Sequence, residues 1–222
     1  MNFSFELPEG VVLRPVQKLD ARALTEAFQK NRAHLAPWEP IRPDKFYTVQ
    51  GQQEVITRQR RELSAGTGLP MVLVRQDEAV GLLTLSSIVR GAFQNAHLGY
   101  WMDQALQGSG IMTAAVAAAV NIAKHDLALH RLEAATLVHN TASQRVLEKN
   151  GFESYGTARA YLRIAGLWQD HRMFQRILEA VWGRRNGSAG GSARGRSGYE
   201  ARRWASTSPM GMLTATTTTK TR

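Results

Sequence analysis

A single-domain mixed α/β sheet is what this 222-residue sequence predicts, and three observations carry the prediction. Extended and helical runs follow in the order strand, helices, three meander strands, helix, strand, helix, two strands. That order fits neither a doubly wound dinucleotide fold nor a helical bundle. A hydrophobic share of 43% is that of an ordinary globular protein, and the length suffices for one sizeable core.

Val11 to Pro15 is the first strand-like run, and Asp20 is placed to cap a helix in which Leu24 and Phe28 share a face, continuing towards Leu35. Pro37, Pro40 and Pro43 then interrupt regular structure. The polar and charged segment from Gln52 to Ala65 reads as a surface helix. Met71 to Val74, Ala79 to Val89 and His97 to Met102 read as successive strands, with turns at Asp77–Glu78 and Arg90–Gly91. Gln107-Gly-Ser-Gly110 leads into an alanine-rich helix over Ile111 to Lys124, with Ile111, Ala115, Ala118 and Ile122 along one face. Arg131 to Val138 is a further strand. Asn140 caps a short helix over Thr141 to Lys149, which Asn150–Gly151 stops. Tyr155 to Ile164 and Trp168 to Arg176 finish the domain.

Charge and composition divide the chain into residues 1–182 and 183–222. The net charge is +10, yet Gly183 to Arg222 holds eight Lys or Arg against one Glu, so the first 182 residues carry only +3. That tail also holds 7 of the 19 glycines and a threonine cluster at Thr216 to Thr219, so it reads as a disordered basic extension. Its charge suggests a weak contact with RNA or the ribosome, while its Gly, Ser and Thr richness favours an accidental extension with no function. The sequence contains no cysteine, which excludes a disulfide framework, a thiolate metal site and a Cys acyl-enzyme. No His/Asp/Glu cluster has metal-ligand spacing, and no metal is expected. Met1 to Gly10 lacks a basic run, and the longest apolar stretch, Ala114 to Val120, is too short for a bilayer. The expected location is the cytoplasm, with no membrane partner.

The segment with most chemistry is His97-Leu-Gly-Tyr-Trp-Met-Asp103 followed by Gln107-Gly-Ser-Gly-Ile-Met112. A strand runs into a glycine-rich loop that opens a helix, so free backbone N–H groups and the helix dipole converge on one spot suited to phosphate oxygens. Thr113 stands where a dinucleotide fingerprint needs its last glycine, and no Gly-Lys-Ser/Thr follows for a P-loop.

Gln107 to Met112 resembles the acetyl-coenzyme-A loop of the GNAT superfamily, Gln/Arg-x-x-Gly-x-Gly/Ala, with Gln107 and Gly110 matching and Met112 in place of the small last residue. Asn31-Arg32, Leu35-Ala-Pro-Trp-Glu-Pro40, Val89-Arg-Gly-Ala-Phe93, Leu98-Gly-Tyr100, His139-Asn140 and Gly166-x-Trp168-x-Asp170-His171 are similar to the RimJ/RimL branch, the N-terminal acetyltransferases of ribosomal proteins. The resemblance spans about residues 8 to 180. It implies a central, twisted, mostly antiparallel sheet flanked by helices, whose two middle strands splay to admit the pantetheine arm of acetyl-CoA. Trp101, Met102 and Asp103 would line the arm, mainly through backbone groups. Gln107, Gly108, Ser109, Gly110, Ile111 and Met112 would bind the pyrophosphate, and Asn140 would hold the arm from the far side.

The implied reaction is direct attack of a neutral amine on the thioester, which needs a base, an N–H for the oxyanion and an acid for the leaving thiolate. The oxyanion donor falls near Tyr100 to Met102. Ser143 matches the serine of the family's Asn-x-x-Ser pattern and would meet the coenzyme sulfur as proton donor. RimL-type enzymes carry a Glu just before the late-strand tyrosine, where this chain has Ala160 before Tyr161. His97, on the strand before the loop, and Glu39, in the Trp-Glu-Pro loop, are the candidate bases, and water could instead drain the proton. Each residue has a plainer reading too: His97 as a polar residue on an open strand face, Ser143 as an ordinary helix serine, Asn140 as a cap alone. The acceptor is a protein N-terminus, with a small amine (antibiotic, amino sugar or polyamine) as the alternative and a non-catalytic coenzyme- or RNA-binding relative as the third reading.

Overall fold

The structure is a computed structural model and describes residues 3–178. The reading of 183–222 as a basic extension, with its contact to RNA, lies outside the described residues. Eight strands form one sheet: β1 (Phe5–Leu7), β2 (Val11–Pro15), β3 (Leu69–Arg75), β4 (Glu78–Val89), β5 (Asn95–Met102), β6 (Arg131–Leu137), β7 (Glu153–Ile164) and β8 (Leu167–Ile177). The helices are α1 (Ala21–Lys30), α2 (Arg32–Leu35), α3 (Val49–Ala65), α4 (Ile111–His125) and α5 (Thr141–Lys149). The strand order is β1-β2-β3-β4-β5-β6-β8-β7, and every neighbouring pair is antiparallel except β5–β6.

Alternation along the strands supplies one apolar set to each face. Leu13, Met71, Leu73, Leu83, Leu85, Ala96 and Leu98 are buried with α4, whose Ile111, Ala115, Ala119 and Ile122 form a flat stripe that lets the helix lie close to the sheet. On the other face Val16, Val72 and Ala79 pack with Leu24 and Phe28 of α1 and Ile56 of α3. Burying a side chain such as Leu24 or Ile56 contributes roughly 1.5–3 kcal/mol. The two helical layers therefore fix the middle of the sheet from both sides, while β7 remains exposed along almost its whole length.

The three meander strands, the strand after α4 and the α5 helix fall where the sequence places them. Some boundaries differ. β1 is an extra three-residue edge strand, too short to show a period. α1 stops at Lys30 and a separate turn of helix covers Arg32–Leu35, because Asn31 leaves helical geometry (φ −96°, ψ 8°) and its side-chain amide donates to Ala27 O. α3 begins at Val49, three residues before Gln52, since Thr48 caps it by accepting from the Gly51 N–H. Asp20 does not cap α1 with its side chain. Its carboxylate accepts from the Gln17 N–H and from both terminal nitrogens of Arg14 at 2.9 and 2.7 Å, a bidentate pair that outcompetes the cap.

Parallel pairing of β5 with β6 covers only Asn95↔Arg131, Ala96↔Leu132 and His97↔Glu133. Beyond His97 the two strands part. A bulge in β4 centred on Ser87 (φ 50°) sits beside this point and adds local twist.

Candidate active site

Where β5 leaves β6, half of its backbone loses its partner. The Asp103 N–H donates to Val80 O at 2.8 Å, which sets the alternation: odd-numbered residues bond to β4, and the amides of Tyr100 and Met102 point the other way. β6 has already departed there, so these amides face an open gap. They lie within the Tyr100 to Met102 stretch where the sequence leads one to expect an oxyanion donor. Asp103 itself offers no free donor, because its N–H is taken and its carboxylate holds Lys30 Nζ at 2.7 Å and the Ala105 N–H at 2.9 Å. Burial pushes the Asp103 carboxyl up, but the hydrogen bonds from Lys30 and Ala105 outweigh it and hold the group below the ordinary carboxylate range.

The glycine loop closes the far end of the gap. Gly108 (φ 80°) and Gly110 (φ 83°) adopt left-handed backbone, and a Cβ at either would meet nothing within 4 Å, so conformation and not crowding demands glycine there. Ala114 N is the first to bond back, to Gly110 O, which leaves the N–H groups of Ile111, Met112 and Thr113 free at the positive end of a 15-residue helix. Ser109 Oγ donates to Leu106 O and shapes the loop. Gln107 is tied outwards, its amide donating to His34 Nε2 at 2.9 Å. Gln104 N donates to Asn31 Oδ1 at 3.0 Å. With Lys30–Asp103, these bonds stitch the end of α1 and the turn after it to the loop.

Across the gap stands α5. Asn140 caps it, its Oδ1 accepting from the Ser143 N–H at 3.1 Å, so its side chain is engaged as the sequence suggests. The Tyr100 phenol reaches over from β5: its O–H donates to Ser143 O at 3.1 Å, and the two hydroxyl oxygens lie 2.9 Å apart. Burial pushes the Tyr100 pKa up to about 12, with the Ser143 hydrogen bond pulling weakly the other way. The phenol is therefore protonated throughout the neutral range. Sequence reading passed over this side chain because its partner lies 43 residues away and only the splay brings them together.

On the opposite face of β5 lies a cavity of about 270 Å³. Its floor is β4 and β5, through Leu82, Thr84, Ser86, Gly99, Tyr100 and Trp101, so Tyr100 borders both the gap and the cavity; its sides are α1 and α3, and the loop bearing Glu39 and Arg42 closes it. Glu39 is mostly buried, 21% of its side chain being exposed, and Arg42 Nε lies 3.6 Å from its carboxylate. Burial raises the Glu39 pKa above the ordinary carboxylate value, against the opposing charge of Arg42. Its backbone is pinned as well: Ala165 N, at the tip of the β7–β8 hairpin, donates to Glu39 O at 3.0 Å.

The three residues singled out for proton transfer are thus separated. Glu39 lines the cavity and Ser143 sits across the gap. His97 lines no part of the cavity: its side chain is 46% exposed, and its Nε2 lies 3.0 Å from a Glu133 oxygen. Burial pushes the Glu133 carboxyl up, but hydrogen bonds from Asn95 and Arg131 hold it below its usual range, so His97 joins a network already closed on itself. At Ala160, where a late-strand glutamate would stand, β7 bulges (φ 45°) and the Ala160 N–H donates to Asp170 Oδ1 at 2.8 Å. Among the described residues no cluster of His, Asp and Glu could hold a metal ion, and no helix is long and apolar enough to cross a membrane.

Comparison with known proteins agrees with this geometry. Residues 11–153 match the family model described as an acetyltransferase (GNAT) domain. The chain is 39% identical over 165 residues to the Probable N-acetyltransferase YjcK of Bacillus subtilis, covering 73% of this chain and 91% of that protein. It is 34% identical, again over 165 residues, to the [ribosomal protein uS5]-alanine N-acetyltransferase of Escherichia coli, covering 73% and 85%. Among solved structures, Mycobacterium smegmatis RimJ in complex with CoA-disulfide superposes with a TM-score of 0.75 at 34% identity, covering 80% of this chain and 87% of that one. The splayed strands, the glycine loop and these matches together make the chain a member of the GNAT acetyltransferases, related to the RimJ/RimL ribosomal-protein N-acetyltransferases.

Proposed function

We propose that this enzyme transfers the acetyl group of acetyl-CoA to the N-terminal α-amine of a cytoplasmic protein, a ribosomal protein being the acceptor class. The observation that carries the reading is the cavity beside the gap, which sets one mostly buried carboxylate, Glu39, against two arginines, Arg42 and Arg58. A polyamine or aminoglycoside brings several positive charges and calls for an acidic cleft. A protein N-terminus brings one ammonium followed by neutral peptide, which this wall accommodates. The RimJ/RimL relatives named for ribosomal-protein substrates point the same way.

The gap and the loop suit the coenzyme. The free N–H groups of Ile111, Met112 and Thr113 converge at the helix N-terminus where a pyrophosphate is favoured, and the amides of Tyr100 and Met102 remain for the arm and the thioester oxygen. Gln107 to Met112, Met102 and Asn140 border this path, with Asp103 holding its bend; Trp101, expected on the arm, instead turns its backbone to β4 and its indole to the cavity. Acetyl-CoA supplies the activated acetyl group and a thiol leaving group. Glu39 takes the proton from the incoming ammonium inside the cavity, the Met102 N–H receives developing negative charge, and Ser143, supported by Tyr100, returns a proton at sulfur. An α-amine has a pKa of about 7.7–8.0, so a large share is already neutral near pH 7.5 and one partly buried carboxylate suffices as base.

The test is a titration with acetyl-CoA, followed by thiol release with ribosomal proteins as acceptors and mass spectrometry of their N-termini. The chain has no thiol of its own, so every free thiol counted comes from the coenzyme. Coenzyme binding with release coupled to N-terminal acetylation is the expected result. Coenzyme binding with turnover only on small amines overturns the acceptor assignment.

A further inference from the structure

The cavity holds more hydrogen-bonding capacity than deprotonation of an amine needs. Arg42 Nε and Trp101 Nε1 are both buried N–H donors without an acceptor, and both residues line the cavity. A buried donor left unpaired costs about 1–3 kcal/mol, so two of them around one cavity point to acceptor oxygens supplied from outside. Arg42 is held in place for this: its guanidinium stacks on Phe46, 4.9 Å from the ring centroid, while its Nε stays too far from Glu39 for a hydrogen bond.

Arg58 adds a charge to the pattern. Gln52, Val55, Arg58 and Gln59 share the face of α3 that lines the cavity, at the i, i+3, i+6, i+7 spacing of one helical stripe. Gln52 is fixed near the Glu39–Phe46 loop, its amide donating to Phe46 O at 2.7 Å. Arg58 lies six residues further on, about 9 Å along the helix axis at 1.5 Å per residue, which is the reach of two to three residues of extended peptide. Arg58 is exposed, and among the described residues it has neither an ion pair nor a hydrogen bond, whereas Arg42, the other arginine of the cavity, faces Glu39. Among the described residues the only carboxylate lining the cavity is Glu39, already faced by Arg42.

The geometry points to an acceptor whose first residues carry a carboxylate: the α-amine enters at Glu39, a backbone carbonyl takes the Arg42 donor, and an acidic side chain at the second or third position pairs with Arg58. This specificity rests on the acceptor being a peptide N-terminus, as proposed above. It makes the enzyme selective among protein N-termini through charge at a site outside the coenzyme-binding loop.

The experiment uses the full chain with acetyl-CoA and three synthetic peptides beginning Ala-Asp-Asp, Ala-Ser-Ser and Ala-Lys-Lys, otherwise identical, read by thiol release. The expected result is a kcat/KM about tenfold higher for Ala-Asp-Asp than for Ala-Lys-Lys, with Ala-Ser-Ser between, the difference lying in KM; attraction of Asp and repulsion of Lys at an exposed arginine together span about that much. Arg58→Glu inverts the order, and Arg58→Lys preserves it. A wild-type enzyme that acetylates all three peptides equally, or an order unchanged in Arg58→Glu, overturns the inference while leaving N-terminal acetylation standing. Failure to acetylate any peptide despite coenzyme binding and turnover on small amines overturns both. The inversion is the informative readout, because a variant that merely misfolds loses all three activities together.

Discussion

The two sides of β5 are made of different material. On the gap side the unpaired groups are backbone: the amides of Tyr100 and Met102, and the free N–H groups at the start of α4, held in place by the left-handed Gly108 and Gly110. On the cavity side they are side chains from four separate segments: Glu39 and Arg42 on a loop, Arg58 on α3, Thr84 and Ser86 on β4, Trp101 on β5. Backbone can be aimed only by a local conformation, so the gap side imposes a short, contiguous glycine signature on the sequence. Side chains can be brought from anywhere the fold permits, so the cavity side imposes none. One half of the site thereby suits a ligand of fixed chemistry, and the other can diverge to suit an acceptor.

The sharpest way to break this division is at Glu39. Glu39→Gln keeps the shape of the loop and removes the proposed base, and kcat/KM for a peptide acceptor is expected to fall about 10²-fold, the usual scale for a general base, with coenzyme affinity unchanged. Equal loss of coenzyme binding would show that the two sides are not separable. The pH profile sharpens the point. Burial raises the Glu39 pKa, and the base acts only when ionised, so activity falls as pH drops through a value above the ordinary carboxylate range. Arg42 favours the ionised form, so Arg42→Gln is expected to move that acid limb to higher pH. A rate profile of the two proteins between about pH 5 and 8 checks the direction.

Smaller losses are expected where a backbone-built site borrows side chains. Ser143→Ala and Tyr100→Phe each remove one member of the hydroxyl pair 2.9 Å apart across the gap. Each is expected to lower kcat by roughly tenfold, less than the usual ~10²–10⁴-fold of acid catalysis because a thiolate leaves with little help, and the double variant little further, since the two act as a unit. Additive losses would mean that Tyr100 has a role of its own. Stopped-flow thiol release under saturating coenzyme separates these cases. On the loop, Gly110→Ala forces a Cβ into backbone at φ 83° with open space around it. The cost is conformational, about 1–2 kcal/mol, and is expected as a several-fold weaker coenzyme affinity in a binding titration, with the peptide preference intact.

The same division explains what was legible in the sequence. β3 to β5, α4, α5 and the Asn140 cap could be read because each is announced by residues adjacent in the chain. Gln107 to Met112 could be read because a glycine loop before a helix is a local statement about dihedral angles. The parting of β5 from β6 is not local: residues 98 to 102 carry no mark of it, and the family resemblance supplied it. Tyr100 and Ser143 meet only through that parting, and Arg42 and Arg58 become neighbours of one cavity only when α3 folds over β4. His97 shows the converse. Its residue type and strand position suggested a base, and its actual partner, Glu133, is a parallel-strand neighbour that no spacing rule could name.

The least effect on chemistry is expected at the seam between the two sides. Asp103 ends β5, accepts from Lys30 of α1 and turns the chain into the loop, so it belongs to neither ligand. Its carboxyl pKa is lower in the folded protein than in the unfolded chain. Such a group stabilises the fold above its unfolded pKa, about 3.9, and that contribution is lost as pH falls through the folded value. Asp103→Asn is therefore expected to lower stability by about 1 kcal/mol at pH 7, a modest figure because Lys30 is more than half exposed. The gap between variant and wild type should close as the pH is taken below the unfolded value of about 3.9 and on through the lower folded one. Urea unfolding at a series of pH values measures it. If the deficit at pH 7 came with a large rise in KM for both acetyl-CoA and peptide, the seam would be transmitting between the two sides, and the backbone and side-chain halves of the site would have to be treated as one coupled element.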